Sequence, residues 1–146
     1  MAVIRRSIDI NAPLAKVFEF VSSPKNWTTY LTALVKVENL SSETLAPGVT
    51  FDWTYRMMGM DFNGKGQVLE YEKDKRFKMR MEGHFPITET YHFDGDDKRT
   101  TLTVEIEYEL PGKVLGVLAD KMVVEKLNVK EADSVLEKIK TICEEA

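Results

Sequence analysis

The chain has 146 residues, 43% of them hydrophobic and 30% charged, with a net charge of −4 and a pI near 5.3. That length suits a single domain, expected to span 1–146, with enough interior to need no covalent staple. The acidic balance provides no field for a phosphate backbone, which excludes nucleic acid as an expected partner. Cys143 stands alone and cannot close an internal disulfide, and no apolar run reaches the roughly 18 residues of a membrane-spanning helix. The opening "MAVIRRSIDI" has no export-type apolar run, so a cytoplasmic location is the expectation.

In chain order, Arg5 to Ile10 reads as a strand that leads into "NAPLAKVFEFV". Pro13 suits a first helical turn there, because its missing N–H would be unpaired in any case. Leu14, Val17, Phe18 and Val21 fall on one face of a short helix that "SSP" ends. After Pro24, the spacing of Trp27, Leu31 and Leu34 predicts a second short helix. A strand over Val35 to Leu40 follows, and Pro47-Gly48 marks a turn.

"FDWTYRMMGMDFNGKGQVLEYE", residues 51–72, predicts a hairpin. Phe51, Trp53, Tyr55 and Met57 share one face of its first strand, and Asp52, Thr54 and Arg56 the other. Met58-Gly59 forms the turn, and the second strand runs from Met60 to Glu72. Gly64 and Gly66 within it permit a bend or the close approach of another backbone. Phe77, Met79 and Met81 alternate with Lys78, Arg80 and Glu82, and beyond Gly83 and Pro86 a strand runs from Ile87 to Phe93. "DGDDK" closes the next hairpin.

The clearest strand is "LTVEIEYEL", in which Leu102, Val104, Ile106, Tyr108 and Leu110 alternate with Thr103, Glu105, Glu107 and Glu109. One face is core and the other is water, with Arg5 on the neighbouring edge as an expected partner for the glutamates. Hairpin-linked strands with one wet face describe an antiparallel sheet. The dry face needs cover, and Lys113 to Ala146 supplies it. Leu115, Leu118, Met122, Glu125, Val129, Ala132, Leu136, Ile139 and Cys143 step by three and four, predicting one helix of roughly 30 residues and about 45 Å. Strands followed by a helix in one unit make the fold class α+β.

This order is a strand, two short helices beginning at "AP", six further antiparallel strands and a long C-terminal helix. With "SIDINAPLAKVFEFVSSPKNW", "GKGQVLEYEKDKRF", "TTLTVEIEYELPG" and "LEKIK", it resembles the superfamily (SRPBCC) that unites START lipid-transfer domains, polyketide cyclases and the birch-pollen allergen. The chain looks most like the polyketide cyclase/dehydrase-like branch, over nearly its whole length. The resemblance implies a helix-grip fold: a curved seven-stranded antiparallel sheet around the C-terminal helix, with an internal apolar cavity for a hydrophobic ligand.

Candidate ligand-binding residues follow from the inward strand faces. Phe51, Trp53, Tyr55, Phe77, Met79, Met81 and Tyr91 are expected there, together with Ile87 and Phe93. Such side chains fill plain cores as readily as they line pockets, and both readings stand. Tyr108, Leu118, Met122 and Glu125 complete the set. The thioethers of Met57, Met58, Met60, Met79, Met81 and Met122 adapt to guests of varied shape, or fill irregular gaps. Tyr55, Tyr91 and Tyr108 each carry a polar hydrogen that needs a partner when buried, either a ligand or a trapped water. Glu89 and Glu125 either project inward, where desolvation raises a carboxyl pKa, or lie at wet edges.

His84 and His92 have no Cys, Asp or Glu at metal-ligand spacing, so neither a metal nor a cofactor is expected. Cys143 reads as a core thiol, and "GKG" opens no helix that would cradle phosphate. The segment "VLGVLADKMVV" is apolar almost all round, which suits a cavity entrance, flexible at Gly112 and Gly116, or a homodimer contact. The expected function is binding or transport of a small hydrophobic ligand such as a lipid, isoprenoid, quinone or polyketide. The alternatives are a polyketide cyclase/dehydratase-type enzyme with an inward carboxylate, and a chaperone-activator-like interaction module.

Overall fold

The computed structural model describes residues 2–57, 59–83, 86–108 and 121–145, without the side chains of 2, 57 and 121–124. Seven strands form one antiparallel sheet: β1 (Ala2–Ile10), β2 (Leu34–Glu38), β3 (Thr50–Met57), β4 (Met60–Glu72), β5 (Arg76–Glu82), β6 (Ile87–Gly95) and β7 (Thr100–Tyr108). Their spatial order is β1-β7-β6-β5-β4-β3-β2, so β3 to β7 run as successive hairpins and the first two strands of the chain become the two edges. Between those edges the chain forms α1 (Leu14–Ser22), a 3-10 turn (Pro24–Asn26) and α2 (Trp27–Tyr30). A long C-terminal helix, α3 (Lys121–Glu145), completes the α+β helix-grip fold.

Period-two alternation becomes burial as expected. Phe77, Met79 and Met81 in β5, and Leu102, Val104, Ile106 and Tyr108 in β7, are all buried. The outer face is wet, with Arg5 Nη1 at 3.3 Å and His92 Nε2 at 3.4 Å from Glu105 Oε2. Exposed pairs of this kind contribute little.

Several boundaries differ from the periodic reading: β1 begins at Ala2 rather than Arg5, and β6 runs on to Gly95. Pro13 sits at the N-cap of α1 with extended backbone (φ −60, ψ 143), one residue ahead of the first turn. The second helix stops at Tyr30: Leu31 leaves helical geometry (φ −86, ψ 88) and Leu34 opens β2. Trp27, Leu31 and Leu34 are all buried, but as helix, turn and strand residues, so their spacing of three and four was incidental. β2 ends at Glu38, and Asn39 takes a left-handed φ of 54.

α3 is described over 25 residues, about 38 Å at 1.5 Å per residue. Its apolar stripe is buried at Ala132, Leu136, Ile139 and Cys143, with Val135 as a further member. Leu110, Gly112, Leu115, Gly116 and Leu118 lie outside the described residues, as do Met58 and His84.

The core forms where α1 and α3 meet the inner face of the sheet. Phe18 of α1 meets Phe93, Tyr71 and Phe77 edge-on, with ring centroids 4.9, 5.7 and 6.3 Å away. Phe77 stacks on Tyr91 at 4.8 Å. The indole N–H of Trp27 and the hydroxyl of Tyr30 both donate to Val21 O, at 3.2 and 2.7 Å, folding α2 back onto the end of α1. At the far end of α3, Lys140 Nζ donates to Asp9 O and Glu144 Oε2 accepts from Asn11 N–H, both at 2.8 Å.

Gly64 and Gly66 take the close-approach role. They lie opposite Trp53 and Phe51 in the β3–β4 register. A Cβ on Gly64 would collide with the Glu82 carbonyl oxygen and lie 2.9 Å from the Trp53 ring, and one on Gly66 would strike the Phe51 ring. With no Cβ in the way, the Trp53 indole reaches over β4 and donates to Lys65 O at 3.0 Å.

Candidate functional site

The inner face is filled at one part and open at another. Phe51 packs on Trp27 at 5.0 Å, Phe77 sits among Phe18, Tyr91 and Phe93, and Met79 and Met81 are buried in the same cluster. Elsewhere the sheet and α3 leave a cavity of about 260 Å³. Its apolar walls are Trp53 and Tyr55 of β3, Phe62 of β4, Ile87 of β6, Ile106 of β7 and Leu127 of α3. The polar lining comes from Glu89, from Asn128, Glu131 and Ser134 of α3, and from Thr32, with Arg56 and Lys130 toward the outside.

Of the sequence candidates, Trp53 and Tyr55 stand on this wall. Phe51, Phe77, Met79, Met81 and Tyr91 belong to the packed core, and so does Tyr108. Leu118 and the side chain of Met122 lie outside the described residues. The inward placement of Glu125 is corrected: it is exposed, in an open groove with Lys126, Val129 and Asp133. It shares a helix face with Val129, Ala132 and Leu136, but Val129 is only half-buried and full burial starts at Ala132. One turn before Val129 the same face reaches water.

Glu89 has the opposite fate. It sits in β6, inside the sheet, between Met79 of β5 and Ile106 of β7, and is 5% exposed. Its Oε2 has no hydrogen-bond partner. Burial first, and then the charge of Glu131, push its pKa from 4.5 up to about 8, so near neutral pH it is mostly the uncharged acid. Glu131 accepts from Thr32 Oγ1 at 2.9 and 3.0 Å and from Ala33 N–H at 3.3 Å. It thereby ties α3 to the turn between α2 and β2.

Tyrosines surround the acid. Burial pushes the phenols of Tyr30, Tyr55 and Tyr91 well above the usual value, and the charge of Glu89 adds to each. Tyr30 is satisfied by Val21 O, but the Tyr91 hydroxyl has no partner. The Tyr108 phenol is also raised, mainly by burial and further by Glu125; the neighbouring Asn128 side chain works the other way. No bond of good geometry satisfies either the Tyr108 hydroxyl or Asn128 Nδ2. Buried polar atoms are nearly always paired, so these unpartnered groups are exceptions that cluster near the cavity end of the core.

Sequence reasoning missed Phe62, Leu127, Asn128, Glu131 and Ser134. Leu127, Glu131 and Ser134 fall at i, i+4 and i+7, one face of α3 beside the apolar stripe. Its mostly polar composition reads as a water-facing row, and only the α2–β2 turn packed against it reveals otherwise.

Comparison with known proteins agrees with this architecture. A protein from Thermus thermophilus superposes with a TM-score of 0.80 at 20% identity, covering 96% of this chain and 95% of that one. The Zhui aromatase/cyclase from a Streptomyces species gives 0.77 at 12% identity, over 98% and 93%. The major latex-like protein of ginseng, Panax ginseng, gives 0.72 at 18% identity, over 97% of each chain. At such identities the likeness is one of fold. No curated protein matches the chain. A family model described as polyketide cyclase / dehydrase and lipid transport matches residues 1–144, and the chain belongs to that family, a branch of the superfamily that its sequence pattern resembles.

Proposed function

We propose that this protein binds a small hydrophobic molecule between the inner face of the sheet and α3. The observation that carries this reading is the cavity of about 260 Å³ walled by Trp53, Tyr55, Phe62, Ile87 and Ile106. Apolar area removed from water there supplies affinity at roughly 25 cal/mol per Å². The volume lies just under the roughly 300–1,000 Å³ of pockets for drug-sized ligands, so the guest is compact or inserts one end of a longer lipid, isoprenoid, quinone or polyketide. Membership of a family that includes lipid transport supports the same reading.

Glu89 supports a second reading, a cyclase or dehydratase. An enclosed acid with a pKa of about 8 is matched to proton transfer near neutral pH. The interaction-module alternative finds less support: the exposed large apolar side chains among the described residues, Val3, Val35, Met60 and Leu69, are spread over β1, β2 and β4 rather than gathered.

Native mass spectrometry of the protein isolated from its own host, paired with displacement of a bound fluorescent lipid, tests the binding reading. The expected result is a co-purifying small molecule or saturable probe binding. A protein that carries no guest and takes up no probe overturns it.

A further inference from the structure

Resting on the cavity-binding reading above, we propose that the guest is an amine: an apolar molecule whose protonated ammonium group sits against the carboxyl of Glu89. The charge that acts on the Glu89 carboxyl is the negative one of Glu131 on α3. Two cations stand on the lining, Arg56 and Lys130, but both are exposed, and Arg56 Nε is held by Asp61 at 2.7 Å. Neither is among the charges that set the Glu89 titration. The interior therefore holds an unpaired carboxyl oxygen and a second carboxylate nearby, with no buried cation between them among the described residues.

Guests of different charge meet this arrangement differently. An anionic guest adds a further negative charge in a desolvated space, where Coulomb terms are strong. A hydroxyl satisfies Glu89 Oε2 but leaves the field of Glu131 uncompensated. An ammonium donates to Oε2, lets Glu89 give up its proton, and is attracted by Glu131 as well. The ring faces of Trp53 and Tyr55, with centroids 5.4 Å apart on the same wall, offer the electron-rich surfaces that hold cations. The unpartnered Tyr91 hydroxyl adds a further oxygen near the acid. Charge balance sets the proton count: the ammonium enters with its proton, Glu89 changes from acid to carboxylate, and about one proton passes to buffer for each guest bound.

Octylamine, octanol and octanoate share a chain short enough for the cavity and differ only at the head. Isothermal titration at pH 7 in two buffers of different ionisation enthalpy gives both affinity and proton release, for the wild type and for Glu89→Gln. The expected result is octylamine bound about tenfold or more tighter than octanol, octanoate weakest, and about one proton released per octylamine. Glu89→Gln should lose both the amine preference over octanol and the proton release. Octanol or octanoate binding as tightly as octylamine overturns the inference, and so does an amine preference that survives in Glu89→Gln. Binding of octylamine to the wild type without proton release overturns it even where the variant does not fold. If none of the three probes binds the wild type, the cavity-binding reading itself fails.

Discussion

Replacing Glu89 by Gln tests the buried acid most directly, through stability as a function of pH. Below pH 4.5 the carboxyl is protonated in folded and unfolded chains alike and has no effect on the pH dependence. Between 4.5 and about 8 the unfolded chain ionises while the folded chain holds its proton, so the wild type loses stability as pH rises. Above about 8 both states are ionised and the loss levels off. At about 1.4 kcal/mol per pKa unit, a rise from 4.5 to about 8 corresponds to roughly 5 kcal/mol, an upper figure on the scale of a whole domain's stability. Gln has the same shape and does not titrate, so any constant cost of its amide drops out of the comparison. Urea unfolding at pH 5, 7 and 9 gives the free-energy difference between variant and wild type, with the other titrating groups cancelling. That difference should move in favour of Glu89→Gln by several kcal/mol between pH 5 and pH 9. A difference constant to within about 1 kcal/mol would refute the buried, unpaired placement of the carboxyl.

The Tyr91 hydroxyl is buried without a partner, a condition that costs roughly 1–3 kcal/mol. Tyr91→Phe should therefore raise the urea midpoint of the empty protein by about 1–2 kcal/mol equivalent, and a lowered midpoint would mean that the hydroxyl has a bond after all. Gly64→Ala should cost roughly 1–3 kcal/mol, because the new methyl meets the Glu82 carbonyl oxygen and the Trp53 ring. A midpoint within a few tenths of a kcal/mol of wild type would show that β4 and β5 separate more readily than this packing implies.

The strands were legible because a sheet with one buried face stamps a period of two on its residues; β5 carries it without interruption, and β7 breaks it only at Thr103, which is buried on the outer face. α1 was legible for the matching helical reason. The second helix was over-extended because Leu31 and Leu34 are buried at helical spacing without being helical. Parity gave Glu89 the same side as Ile87 and Tyr91, but its depth depends on Met79 and Ile106 arriving from two other strands, which no local pattern records. The cavity was illegible for a related reason. Phe51 and Trp53 are neighbours on one strand face, yet Phe51 meets Trp27 of the 3-10–α2 segment while Trp53 faces open space. Emptiness arises from what is not opposite a residue, and for that only the family resemblance offered guidance.

Because β1 and β2 form the opposite margins of the sheet, residues 11–33 have to travel from one margin to the other. Six interstrand gaps of about 4.8 Å make that journey roughly 29 Å on a flat sheet. The connector's 16 helical residues in α1, the 3-10 turn and α2 would cover about 25 Å of it at 1.5–2.0 Å per residue, so the crossing is made mostly in helical turns and needs no stretched chain. The crossing meets the hollow only at its last residues, where Thr32 and Ala33 stand on the lining and bond Glu131 of α3, so it is the landing of this segment, rather than its length, that bears on the space around the acid.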